Sequence, residues 1–149
     1  MKAVVQIVLD ASVSVDGIVK GEIKSGLLVY LGVANDDSEK DADWLAEKIA
    51  YLRIFKDEDG KMNLSLKDVP GADVLAISQF TLLGDARKGR RPSWNEAAPP
   101  EKAKYLYEYF INAVEKHGLS CKSGEFQAHM KVTYTNDGPV TIILDTSLH

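Results

Sequence analysis

The chain has 149 residues, room for one domain around one hydrophobic core. Its 45% hydrophobic and 27% charged content excludes global disorder, and a net charge of −4 from 18 basic and 22 acidic side chains gives no general attraction for phosphate. Met1 to Val8 do not form a secretory signal, no apolar run reaches the roughly 20 residues of a bilayer span, and one cysteine, Cys121, closes no intrachain disulfide, so the expectation is a single domain over residues 1–149, cytoplasmic and without membrane contact.

Lys2 to Leu9 is a strand candidate, and Ser12 to Val15, Asp16-Gly17 and Ile18 to Lys20 spell a short hairpin, because Asp-Gly accepts the positive φ angles of a tight turn. Leu27 to Val33 is a further apolar run of strand length. After Asn35 the period changes: Ala42, Leu45, Ala46, Ile49 and Leu52 recur at helical spacing, with Ser38 and Asp41 placed to cap the first turn and Glu39, Asp41 and Asp43 matching the positive end of its dipole. Asp57-Glu58-Asp59-Gly60 reads as a surface turn without the ligand register of a calcium loop.

Val74 to Phe80 predicts a strand that runs into Thr81 and a Gly-rich basic connection. Pro99-Pro100 introduces a second helix with Ala103, Leu106, Tyr107, Phe110 and Val114 on one face, and Gly118 ends it. Met130, Val132 and Tyr134 alternate with Lys131, Thr133 and Thr135 as in a half-buried strand, and Val140 to Asp145 gives another, with Asn136-Asp137-Gly138-Pro139 expected as a turn between them.

Chemical motifs are sparse. No HExxH, paired-cysteine, GxGxxG or GxxxxGK[ST] pattern occurs, so neither a metal nor a cofactor is expected. His117 reads as a dipole partner near a helix end, His149 as a mobile terminal residue, and Cys121 as a passive thiol. Ser78 and Thr81 carry hydroxyls outside any GxSxG elbow. Against the acidic total, Arg87, Lys88, Arg90 and Arg91 put four basic side chains into five positions, a cluster able to meet a phosphate backbone or simply a solvated loop.

Two tracts carry more. Ser78-Gln79-Phe80-Thr81 and Asn136-Asp137-Gly138-Pro139-Val140-Thr141 resemble the paired motifs of the D-aminoacyl-tRNA deacylase family. Gly26 to Val29, Leu31 to Val33, Arg53 to Phe55, Gly60 to Asn63, Arg91 to Ser93 and Gly124 to Met130 match further family landmarks in the same order, so the resemblance covers nearly the whole chain.

The resemblance implies an α/β fold with a compact β-rich sheet or barrel-like core covered by two principal helices, and a homodimer whose partner is D-aminoacyl-tRNA. It further implies that Gly138 and Pro139, joined by a cis peptide, enter the neighbouring subunit's site, where their carbonyls position the substrate amino group and exclude an L side chain. Ser78, Gln79, Phe80 and Thr81 would form the facing side of the acyl pocket, Phe80 and Thr81 serving catalysis by backbone donation or positioning while the terminal ribose 2′-hydroxyl assists water. Arg87, Lys88, Arg90 and Arg91 would contact tRNA. Two departures bear on detail: Ile7 follows Gln6 where the family commonly has an arginine that braces the glycine-proline region, and Trp94 stands where phenylalanine is common. His129 occupies a variable position.

Overall fold

The computed structural model describes residues Met1–His149. Strand β1 (Lys2–Val15) turns at Asp16-Gly17 into β2 (Ile18–Ile23), and β3 (Gly26–Gly32) follows after a short break. Helix α1 (Glu39–Tyr51) leads to the small hairpin of β4 (Phe55–Lys56) and β5 (Met62–Leu64), then to β6 (Asp73–Ser78). Helix α2 (Pro100–Lys116), β7 (Cys121–Ser123) and β8 (Lys131–Asp145) complete the chain.

Two expected pairs of strands are single strands. Lys2 to Leu9 and Ser12 to Val15 belong to one 14-residue strand, β1, which pairs with β3 through Val8↔Gly26 and with β2 from Ala11↔Ile23 onward. Its other edge is covered along its length by β8, from Lys2↔Asp145 to Ser14↔Lys131. The expected turn at Asn136 to Pro139 therefore interrupts no strand; it is an irregularity inside the 15-residue β8, where Gln6↔Thr141 gives way to Val8↔Asn136. The ladder resumes on both sides because β1 continues as a template for the whole of β8.

Strands β6 and β7 add in parallel to β3, giving the order β2-β1-β3-β6-β7 with β8 on the far edge of β1. Gly21 brings the two ends of this path together: a Cβ there would lie 2.5 Å from the Ser123 carbonyl oxygen, so only glycine lets β2 approach β7 this closely. The sheet thus curls nearly into a barrel.

Each face of the curl has its own core. On the outside, Val5, Leu27, Val29, Leu31 and Ala76 pack against Leu45 and Ile49 of α1 and Leu106, Phe110 and Val114 of α2. On the inside, Val8, Ala11, Val13, Ile23, Leu28, Leu75 and Ile77 form a second cluster. Strands β3 and β6 are buried on both sides, which explains why they read as unbroken apolar runs rather than as alternation.

The helices begin where the sequence predicts. Asp41 Oδ2 accepts the Ser38 N–H and hydroxyl, both at 2.9 Å, satisfying a donor at the start of α1. Pro100 occupies the first turn of α2, where its missing N–H costs nothing. The buried Tyr107 hydroxyl donates to the Ala76 carbonyl at 2.8 Å, fastening α2 to the middle of β6. No helix is long and apolar enough to cross a membrane.

Candidate active site

Strand β6 ends at Ser78, two residues short of the expected Phe80. Gln79 leaves the strand at φ −144° and ψ 84°, anchored by its N–H on the Leu31 carbonyl at 2.8 Å, and Phe80 to Leu83 form one short 3-10 turn. The first N–H groups of such a turn have no carbonyl partner within it, so Phe80 and Thr81 present main-chain donors at the end of a parallel strand.

A cleft of about 750 Å³ opens at this strand end. Leu31, Val33 and Ile77 form its base, Ser78, Gln79 and Phe80 its rim, and the segments Ala97 to Pro100 and Phe126 to Met130 its sides. Trp94 stands at the mouth with its ring 5.3 Å from that of Phe80 in an edge-on contact at 69°, and Phe80 is 54% exposed. The tryptophan at the position where phenylalanine is common therefore builds an aromatic wall.

His129 is the one titratable side chain among the residues lining the cleft. Thr81 is exposed, lies outside the lining, and its hydroxyl accepts a hydrogen bond from the Gln79 carboxamide. No base stands against it. Cys121 is buried away from the cleft lining, and burial pushes its thiol up to about 12, which keeps it protonated. No three of the His, Cys, Asp and Glu side chains converge as a metal site would require. His117 packs edge-on against Tyr51 at 5.5 Å, and His149, expected to be mobile, stacks on Trp44 at 4.3 Å.

The four basic residues occupy an exposed loop just before Trp94, closed by reciprocal backbone hydrogen bonds of 2.9 Å between Asp85 and Ser93. They are not equivalent. Arg87 donates from Nε at 2.8 Å and Nη2 at 2.7 Å to the two oxygens of Asp85, whose carboxyl is held down at about 2 by these hydrogen bonds. Lys88, Arg90 and Arg91 enter no salt bridge and point their charge to solvent.

Gly138 and Pro139 lie elsewhere. Their peptide bond is cis, both residues are exposed on the irregular part of β8, and neither lines the cleft. Gly138 has φ +112°, and a Cβ there would meet the Val140 nitrogen and Cγ2 at 2.7 Å, so the position admits only glycine without displacement. Within one chain the structure gathers Ser78, Gln79 and Phe80 at the cleft and sets Gly138-Pro139 apart from them. Sequence reasoning missed Ala97 to Pro100 as cleft residues and assigned no role to Phe126 to Met130; only the resemblance of Gly124 to Met130 to a family landmark marked that segment.

The family model for D-Tyr-tRNA(Tyr) deacylase matches residues 4–145. A D-aminoacyl-tRNA deacylase of Thermotoga petrophila is 58% identical over 147 residues, which span 99% of this chain and 98% of the relative, and one of Koribacter versatilis is 61% identical over 98% and 97%. Among solved structures, a c-Myc DNA unwinding element binding protein superposes with a TM-score of 0.89 at 41% identity, covering 97% of this chain and 98% of its own. A probable eukaryotic D-amino acid tRNA deacylase shares the fold, with a TM-score of 0.82 at 17% identity over 96% of this chain and 97% of its own.

Proposed function

The chain belongs to the D-Tyr-tRNA(Tyr) deacylase family, and from that premise we propose that it hydrolyses the ester joining a D-amino acid to tRNA, a chiral proofreading reaction that releases the free D-amino acid and tRNA. The observation that carries the reading to this site is the apolar cleft at the end of β6, rimmed by Ser78, Gln79 and Phe80 and lined by a single titratable group. Such a site binds and orients an acyl group while offering few side chains for proton transfer.

The chemistry then rests on water, the substrate and the main chain. Water oxygen attacks the ester carbonyl carbon, the bond from that carbon to the ribose 3′-oxygen breaks, and the proton lost by water ends on the 3′-oxygen, with the neighbouring 2′-hydroxyl assisting. The Phe80 N–H at the cleft rim, with the neighbouring Thr81 N–H, would stabilise the carbonyl oxygen as it gains charge. A Thr81 nucleophile is disfavoured by its lack of a base and its position outside the lining.

Chirality requires the second motif, which in one chain does not line the cleft. A homodimer supplies it: Gly138-Pro139 of one subunit entering the other's cleft would set two carbonyls beside the substrate amino group and leave no room for an L side chain. The surface of β8 supports this assembly. Its outer edge has no partner strand, and its Ile143, at 75% exposure, together with Leu9 of the adjacent β1, at 56%, is apolar and uncovered. Lys88, Arg90 and Arg91, on the loop that leads to the cleft mouth, suit the acceptor end of tRNA, and a cytoplasmic location follows from that substrate.

Single-turnover hydrolysis of matched D-, L- and glycyl-tRNAs tests the reading. The expected order is rapid D, some glycyl and negligible L turnover, with a 2′-deoxy terminal adenosine slowing the D reaction by on the order of a hundredfold and Thr81→Ala retaining appreciable activity. An acyl-enzyme intermediate abolished by Thr81→Ala would overturn the mechanism. A second reading, nucleic-acid binding without catalysis, is favoured by the likeness to the DNA unwinding element binding protein; tRNA binding with no hydrolysis of any D substrate would select it.

A further inference from the structure

The backbone ladder stops at the part of β8 that carries Gly138 and Pro139, so something else must set where their carbonyls point. Three side chains meet there. The Gln6 carboxamide nitrogen donates to Asn136 Oδ1 at 3.2 Å and to Thr141 Oγ1 at 3.1 Å, spanning the two residues at which β8 leaves and rejoins its pairing with β1. The Asn136 nitrogen donates to the Ile7 carbonyl at 2.9 Å and to the Val140 carbonyl at 3.1 Å. Thr141 Oγ1 lies 3.1 Å from the Pro139 carbonyl oxygen, to which it donates.

The donors and acceptors leave little freedom. Asn136 faces two carbonyls with its nitrogen, which turns its oxygen toward Gln6; both amide protons of Gln6 and both of Asn136 are then used. Thr141 has one proton and two acceptors in reach, the Pro139 carbonyl at 3.1 Å and Asn136 Oδ1 at 3.4 Å; Asn136 Oδ1 already accepts from Gln6, so the proton goes to the nearer Pro139 carbonyl. A continuous path of donation thus runs from Gln6 through Thr141 to the Pro139 carbonyl, while Asn136 ties the loop's two limbs to β1. The side chain at position 7 cannot brace this loop, because Ile7 is only 8% exposed and packs in the core between sheet and helices.

We infer that Gln6, Asn136 and Thr141 form a side-chain clamp that fixes the Pro139 carbonyl and makes them positioning residues for chiral discrimination, Thr141 acting directly on that carbonyl. The inference rests on the deacylase reading above. One lone pair of the carbonyl is held by Thr141, and the other remains for the substrate amino group. Loosening the clamp lets the carbonyl swing, which admits L side chains before it impairs attack on the ester, since the cleft holding the acyl group is built from other elements.

Thr141→Val removes the hydroxyl at nearly constant shape, and Gln6→Met removes both donors at nearly constant length. The measurement is kcat/KM for D- and L-aminoacyl-tRNA carrying the same side chain, with Tm recorded for each variant. Thr141→Val is expected to lower the D-to-L ratio by on the order of tenfold, mainly through a rise in L turnover, with Tm close to that of the parent, and Thr141→Ser is expected to restore the ratio. If Thr141→Val does not fold, Gln6→Met is judged by the same ratio. A parent protein that hydrolyses D-aminoacyl-tRNA, alongside folded variants with an unchanged ratio, overturns the clamp alone; a parent inactive on every D substrate overturns the deacylase reading and the clamp with it.

Discussion

The two family motifs are held in opposite ways. Ser78 ends, and Gln79 and Phe80 follow, a strand buried on both faces, so their position is set by a core of Val74, Leu75, Ala76 and Ile77 and by the α2 contact through Tyr107. Gly138 and Pro139 sit on an exposed irregularity of an edge strand, where three polar side chains set their place. A concave binding surface can be a by-product of packing. A projecting selector needs its own support, and that support can change without unfolding the protein.

The largest effect that would test this contrast falls on the buried side. Ile77, 1% exposed, belongs to the interior cluster and also lines the cleft. Ile77→Ala is expected to cost about 2–5 kcal/mol of stability through reduced burial and the cavity left behind, read by urea unfolding, together with reduced D-aminoacyl-tRNA turnover. A variant of unchanged stability would mean that the cleft floor is not part of the core.

On the projecting side the order of effects reverses. Gly138→Ala forces a Cβ against Val140 at φ +112°, and the exposed loop relieves that strain by moving. Turnover of the D substrate is expected to fall on the order of ten- to a hundredfold, matching strain of about 1–3 kcal/mol, while the Tm drops less than in Ile77→Ala. A fall in stability as large as that of Ile77→Ala, with D turnover intact, would break the comparison.

A smaller effect separates charge within the basic loop. Replacing Lys88, Arg90 and Arg91 together by glutamine is expected to weaken tRNA binding by about tenfold at low salt and to flatten the salt dependence by roughly one unit of slope for each phosphate that is no longer neutralised. Arg87→Gln alone should do less, because the Arg87 guanidinium is already engaged by Asp85. Equal slopes for parent and triple variant across a salt series would assign the loop to solvent.

The sequence is most readable where one physical rule acts alone. The helical stripes of α1 and α2 and the apolar run of β3 have a single period or a single environment, and the structure shows them nearly at the expected residues. Asn136 to Pro139 misleads because its composition is that of a turn, whereas pairing with a strand more than a hundred residues earlier keeps β8 extended on both sides. Phe80 reads as part of β6 because an aromatic side chain suits a strand, whereas the ladder has ended at Ser78. The sides of the cleft are illegible for a further reason: Ala97 to Pro100 and Phe126 to Met130 come from connections with no period, brought together only by the curl of the sheet. The paired motifs are recognisable, yet their separation in one chain cannot be read from spacing.

The aromatic wall at the cleft mouth gives the molecule an optical property. Of the two tryptophans, Trp94 lies in the cleft lining against Phe80, while Trp44 is stacked on His149 and lies under Lys48 on the surface of α1. The indole at the mouth changes its surroundings whenever the cleft fills or empties; the one on α1 does not. Indole emission from a protein carrying Trp44→Phe therefore comes from Trp94 alone, so occupancy of the cleft becomes visible as a change of light, without any label and on the timescale of mixing.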